Sequence, residues 1–199
     1  SSSNASSSSS ITTNGNNKEG DGETLHRPRS CYICKSRFYR LHHFYDQLCP
    51  PCAELNYTRR TRTCDLAGRV CLVTGGRVKI GYQVVLKLLR SNATVIATTR
   101  FPRDAAARYA KEQDHDQWSG RLHIFGLDFR FIPGVEAFCT FLCGRFDRLD
   151  AIINNATQTV RRPPAYYAHL IGAERQPLHL LPPAQQSTLR SDKELGEQR

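Results

Sequence analysis

Four cysteines stand as two C-x2-C pairs, Cys31 with Cys34 and Cys49 with Cys52, fourteen residues apart. A C-x2-C turn places two thiolates on one side of a tetrahedral ion, and a second such turn completes the set. The spacing predicts zinc held by Cys31, Cys34, Cys49 and Cys52, with free core thiols as the alternative. A closed four-thiolate site has no open coordination position, so the zinc is expected to be structural. His42 and His43 lie between the pairs and could replace a ligand, but four cysteines suffice.

A second kind of chemistry is offered by "RVCLVTGGRVKIGYQVVLKLLR", residues 69–90. An apolar run ends in Gly75 and Gly76, and Gly81 then opens an amphipathic helix. Glycines let a backbone approach a pyrophosphate, and a helix N-terminus offers free N–H groups and a positive dipole end. The alternative for Gly75 and Gly81 is an ordinary tight turn with close helix packing.

These residues need elements to hold them. Strands are predicted at Val70–Thr74, Thr94–Thr99, Leu122–Leu127 and Leu149–Asn154, and helices at Ile80–Arg90, Asp104–Glu112 and Val135–Leu142. Alternating strands and helices imply βαβ units. The strands are nearly continuous apolar runs, as strands covered on both faces should be. The fold class expected is α/β, a partial doubly wound, Rossmann-like parallel sheet behind a small N-terminal zinc module. Residues 1–24 are Ser/Asn-rich and expected to be disordered. The zinc module is placed at 25–60, the dinucleotide-binding domain at 66–171, and an irregular tail at 172–199. Cys71 is expected in the first strand, and Cys139 and Cys143 in the core.

At the end of the second strand an acid would bind the ribose 2′-hydroxyl of NAD, whereas an arginine accommodates the 2′-phosphate of NADP. The strand ends in Thr98, Thr99 and Arg100, with no acid before Asp104. NADP is therefore expected over NAD, with Arg100 as its reader. A solvated arginine is the alternative.

The order of motifs resembles the short-chain dehydrogenase/reductase family, whose cofactor turn reads T-G-x-x-x-G-x-G. Here it stands as Thr74-Gly75-Gly76-Arg77-Val78-Lys79-Ile80-Gly81. Lys79 replaces the middle glycine, with Gly76 and the cations Arg77 and Lys79 as compensation. The resemblance implies cofactor contacts from Thr74, Gly75, Gly76, Arg77, Lys79, Ile80 and Gly81. It also implies an adenine contact from Asp128 and further contacts from Asn154, Asn155 and Ala156 in "AIINNAT", where Thr157 replaces the family's glycine. On the residues alone, Asp128 also fits a helix N-cap or a solvated acid, and the asparagines fit turn formers. "LDAIINNATQTVRRPPAYY" also looks like a divergent subgroup with a cysteine-rich leader.

The family implies a dinucleotide-dependent oxidoreductase, and with Arg100 read as above an NADP-dependent one, acting on an unknown carbonyl or alcohol. Its proton-transfer pair is Y-x-x-x-K, and none of the eight tyrosines here has lysine four residues on. No catalytic residue is therefore assigned. The chain also lacks methionine. Both observations lead to the expectation of a fragment, inactive alone, with a dinucleotide-sensing pseudoenzyme as the alternative.

The formal net charge of +10 suits anionic partners. Arg59, Arg60 and Arg62 with neighbouring aromatics give a second reading, a binding module for nucleic acid or protein. No apolar run is long enough to span a membrane and no signal peptide is visible, so an intracellular, cytoplasmic location is expected. Oligomeric state is left open.

Overall fold

The structure is a computed structural model that describes residues 23–157 and 162–197. The expected disordered segment therefore lies outside the described residues except for its last two, and Thr24 already begins a strand. The chain divides into two compact units, Ser1–Arg62 and Thr63–Arg199.

In the first unit, β1 (Thr24–Ser30) and β2 (Arg37–Arg40) form an antiparallel pair. Between them Lys35 takes a left-handed φ of 65°, which lets the chain double back after Cys34. Helix α1 (Pro50–Thr61) starts directly after Cys49. Its prolines occupy the first turn, where a helix has no use for their missing N–H. Among the described residues its buried core is Cys31, Phe38, Leu48, Cys49 and Ala53.

The second unit begins with β3 (Val70–Thr74), α2 (Lys79–Arg90), β4 (Thr94–Thr99), α3 (Pro102–Tyr109) and the short α4 (His115–Trp118). It continues with β5 (Leu122–Gly126), α5 (Ile132–Arg145), β6 (Ala151–Ile153), α6 (Ala168–Glu174) and α7 (Pro183–Glu197). The strands form one parallel sheet in the order β5-β4-β3-β6. Successive residues feed opposite cores. Cys71, Val73, Val95 and Ala97 pack with Val85, Leu86 and Leu89 of α2, while Leu72, Ile96 and Phe125 pack with Phe138 and Phe141 of α5. Both faces of β3, β4 and β5 are thus covered, the edge strand β6 leaving Ile152 exposed, and the unit is α/β and Rossmann-like. Each fully buried aliphatic or aromatic side chain contributes roughly 1.5–3 kcal/mol.

Two expectations are corrected here. The segment 172–199 was expected to be an irregular tail, yet Pro183–Glu197 is helical. Its periodicity is thin because α7 is held by particular contacts. Leu189 and Leu195 are buried, Ser191 bonds His123 at 2.9 Å, and the Asp192 carboxylate accepts the Gly126 N–H at 2.7 Å. The helix thereby occupies the outer edge of β5. Cys139 and Cys143 are exposed rather than in the core, because Phe138 and Phe141 take the sheet-facing side of α5.

Candidate functional site

Strand β3 delivers the chain to Gly75, whose φ is 70°. A Cβ there would stand 2.9 Å from the Ala156 Cα, so both the conformation and the space require glycine. The N–H groups of Gly75 and Gly76 donate to the Thr98 carbonyl at 2.9 and 3.0 Å. A Cβ on Gly81 would collide with the Gly75 carbonyl and the Asn155 amide, so α2 approaches the turn closely. Lys79, at the start of that helix, has a φ of 54°. The lysine thus keeps the left-handed backbone that glycine provides freely, at a cost of about 1–2 kcal/mol.

The turn is clasped from β6. Thr74 Oγ1 accepts the N–H groups of Asn155 and Ala156, each at 2.9 Å. Asn155 Nδ2 donates to the carbonyls of Thr74 and Gly75 at 3.1 and 3.2 Å. On the other side, the buried Tyr109 hydroxyl donates to the Gly76 carbonyl. Thr74, Gly76 and Gly81 are therefore buried supports of the turn, and Asn154 is exposed.

The turn opens into a cleft of about 550 Å³. Gly75, Arg77, Lys79, Ile80, Arg100, Asp128, Asn155 and Ala156 line it; Thr74, Gly76, Gly81 and Asn154 are not on its wall. The remaining wall includes Thr99, Phe101, Leu127, Phe129 and Arg130, which the motifs did not single out. They follow from position alone, since they lie at the carboxyl ends of β4 and β5, where ligands of open parallel sheets sit.

The cations differ in their commitments. The Arg77 guanidinium bonds Asp104 at 2.7 Å and lies over the Phe101 ring. It ties the turn to α3 and is not an open phosphate cation. Arg100 is exposed and lies 5.2 Å from the Tyr167 ring centre. Asp128 is gripped by Arg130 through side chain and backbone, and these bonds hold its carboxyl at about 2, against the opposing effect of burial.

The short chain dehydrogenase family matches residues 69–169, just over half of this chain. This chain belongs to the short-chain dehydrogenases. It is 36% identical over 138 residues to the uncharacterized protein R665 of Acanthamoeba polyphaga mimivirus, covering 66% of this chain and 29% of that protein. It is 36% identical over 90 residues to carbonyl reductase [NADPH] 1 of Sus scrofa, covering 44% of this chain and 30% of that one. The chain thus spans under a third of the length of either relative. Among solved structures, the Pseudomonas aeruginosa RhlG/NADP complex matches with a TM-score of 0.39 at 22% identity, over 66% of this chain and 49% of that one. Like its family, this short-chain dehydrogenase places its glycine turn between the first sheet strand and the first sheet-covering helix.

Ahead of the short-chain dehydrogenase unit, the thiols of Cys31, Cys34, Cys49 and Cys52 all lie within 4.8 Å of one another. The Cys34 and Cys49 sulfurs are 3.6 Å apart, close to the edge of about 3.8 Å that Zn–S bonds of about 2.3 Å give a tetrahedron. Burial opposes ionisation of Cys31, but backbone groups of Cys49, Cys34 and Ile33 bring it down to about 6. Cys52 is pushed up to about 12, chiefly by the Cys49 and Cys34 thiols. Four sulfurs this close cannot all ionise without a cation among them. His42 is not in the cluster. Its Nδ1 accepts the N–H groups of Phe44 and Tyr45, and its ring packs on His43 and Tyr57. Among the described residues no helix is long and apolar enough to cross a membrane.

Proposed function

We propose that the unit Thr63–Arg199 binds NADP and forms the cofactor side of an oxidoreductase site. The observation that carries this reading is the cradle at Gly75. Its left-handed backbone is walled by Ala156 and leads into α2, whose first turn carries no side-chain cap among the described residues. Such a helix start favours a pyrophosphate through its N–H groups and dipole. Gly75, Lys79 and Ile80 would hold the phosphates, with Asn155 and Ala156 behind them. Asp128 would border the adenine with its carboxylate already held by Arg130. When bound, the nicotinamide accepts or donates the hydride.

NADP over NAD is supported by Arg100 at the end of β4. The next acid along the chain, Asp104, is committed to Arg77 and Arg108, and Asp128 across the cleft to Arg130. Similarity to a relative named for NADPH points the same way. The substrate is a carbonyl or alcohol of unassigned structure. This chain alone is expected to be inactive, because hydride transfer needs the family's tyrosine and lysine pair, which the sequence does not contain. A dinucleotide-sensing pseudoenzyme is the second reading on the same ground. Calorimetry with NADP and NAD, on the parent and Arg100→Ala, tests the cofactor reading. The substitution should cut NADP affinity by about ten- to a hundredfold and barely alter NAD. Equal losses for both nucleotides would make Arg100 a structural residue.

We propose further that Cys31, Cys34, Cys49 and Cys52 hold one structural zinc. The clustering of the four sulfurs and their inability to ionise together support it. Metal analysis before and after Cys49→Ser decides the matter, and zinc unchanged by the substitution would remove the site. Between Thr24 and Arg62, eight basic residues face two acids. Cations also lie over exposed rings, Arg60 over Phe44 and Lys35 over Tyr32. These features favour single-stranded nucleic acid as a second reading for this unit. That binding should weaken steeply with salt.

A further inference from the structure

The Arg100 end of the cleft is already engaged by a segment of its own chain. Residues Pro164–Tyr167 form a short turn that runs into α6. Tyr167 stacks on Phe101, with ring centres 5.5 Å apart and planes at 24°, and the Arg100 guanidinium sits over the same tyrosine. At the far end of α6, the Glu174 carboxylate accepts the backbone N–H groups of Arg103 and Asp104, each at 2.9 Å. The Arg103 guanidinium donates to the Glu174 carbonyl. The segment is therefore fastened at both ends to the five residues Arg100–Asp104, the stretch on which the NADP reading of this site rests.

The first fastening uses the cation that a 2′-phosphate would want, and the second sets a carboxylate on the helix start that follows it. An arginine over an aromatic face has part of its charge satisfied there. The first-turn amides of a helix are natural partners of an anion, and here they hold a carboxylate. Burial pushes the Glu174 carboxyl up from its ordinary range despite the bonds from Asp104 and Arg103, so the carboxylate sits there at the expense of its own hydration. A phosphate dianion arriving nearby meets like charge.

We infer that Tyr167 and Glu174 are specificity-determining residues that compete from within the chain for Arg100 and for the α3 amides, and so hold down affinity for a 2′-phosphorylated nucleotide. A ligand without that phosphate has no quarrel with the segment. Discrimination between the two nucleotides is thus set by the balance between Arg100 and the segment that occupies it.

The test uses adenosine 2′,5′-bisphosphate and 5′-AMP as probes on the full chain, by calorimetry. Glu174→Gln keeps one of the two oxygens that accept the α3 N–H groups and removes the charge together with the second acceptor. Tyr167→Leu keeps bulk and removes the ring face. Tyr167→Leu should tighten the bisphosphate about two- to fivefold, and Glu174→Gln about threefold or more, with 5′-AMP within twofold in both. Thermal melting within a few degrees of the parent shows that each variant is folded. A Tyr167→Leu protein that binds the bisphosphate more weakly would make the tyrosine a wall of the site and overturn the competition. So would unchanged affinity in both variants while Arg100→Ala still abolishes the bisphosphate preference. If the parent shows no preference, no binding, or a preference that survives Arg100→Ala, the NADP reading fails and takes the inference with it.

Discussion

The two units solve the problem of holding a site in opposite ways. In Ser1–Arg62 two of the four clustered cysteines belong to the core, since Cys31 and Cys49 are among the buried residues of that cluster, with Cys52 packed against it and Cys34 exposed. In Thr63–Arg199 the site is mostly main chain, a turn fixed by Thr74, Asn155 and Tyr109 and carried on two apolar layers that reach it only at their margins, through Tyr109 under the turn and Leu127 on the cleft wall. The described residues of the small unit bury little apolar surface, so under the zinc proposal its ligands and its stability are the same residues. The larger unit separates the two functions, and its cleft tolerates a lysine where glycine would be easier.

The largest effect should come from breaking the first arrangement. Stripping the proposed zinc with a chelator, or Cys49→Ser, should remove a binding free energy of about 10–16 kcal/mol, as in comparable structural sites. Amide NMR signals of residues 24–61 should collapse to unfolded positions while those of the sheet stay. Loss of both sets together would show the comparison to be wrong.

The reverse experiment acts on the sheet. Phe125 is fully buried and packs edge-on against Phe138 and Phe141, so Phe125→Ala should cost about 3–5 kcal/mol in denaturant melts of the second unit. Zinc stoichiometry should not change. A drop in bound zinc would tie the two stabilities together.

Acid should act on the second unit through its arginine-held carboxylates. Asp114 is brought to about 2 by Arg90, and Asp128 to about 2 by Arg130. Because the folded values lie below the unfolded one of about 3.9, their contribution is present above pH 4 and is lost as pH falls toward 2. Melting temperature in this window should fall less steeply in Asp114→Asn. Parallel curves for the two proteins would contradict the pairing.

The smallest effect sharpens the view of the turn. Lys79→Gly relieves the left-handed strain but loosens the unfolded chain, a net gain of up to about 1 kcal/mol. A destabilised variant would mean that the lysine side chain makes contacts beyond its backbone conformation.

The sequence by itself determined the α/β class, the β3 and β4 boundaries residue for residue, and the grouping of the four cysteines. These are local properties: an apolar run between turn residues, or a fixed spacing on a short loop, needs no distant partner to be read. It also marked Lys79 as the departure from the glycine turn, and the left-handed backbone there is the physical content of that departure. Only the tertiary structure decided what lies about 20 to 80 residues apart in sequence. Asn155 clasps Thr74, Arg77 turns to Asp104, α7 settles on the β5 edge through Asp192, and Glu174 caps α3. Each is a polar contact formed by one or two groups, and such contacts leave no periodic trace in the chain. The apolar layers bring those groups together.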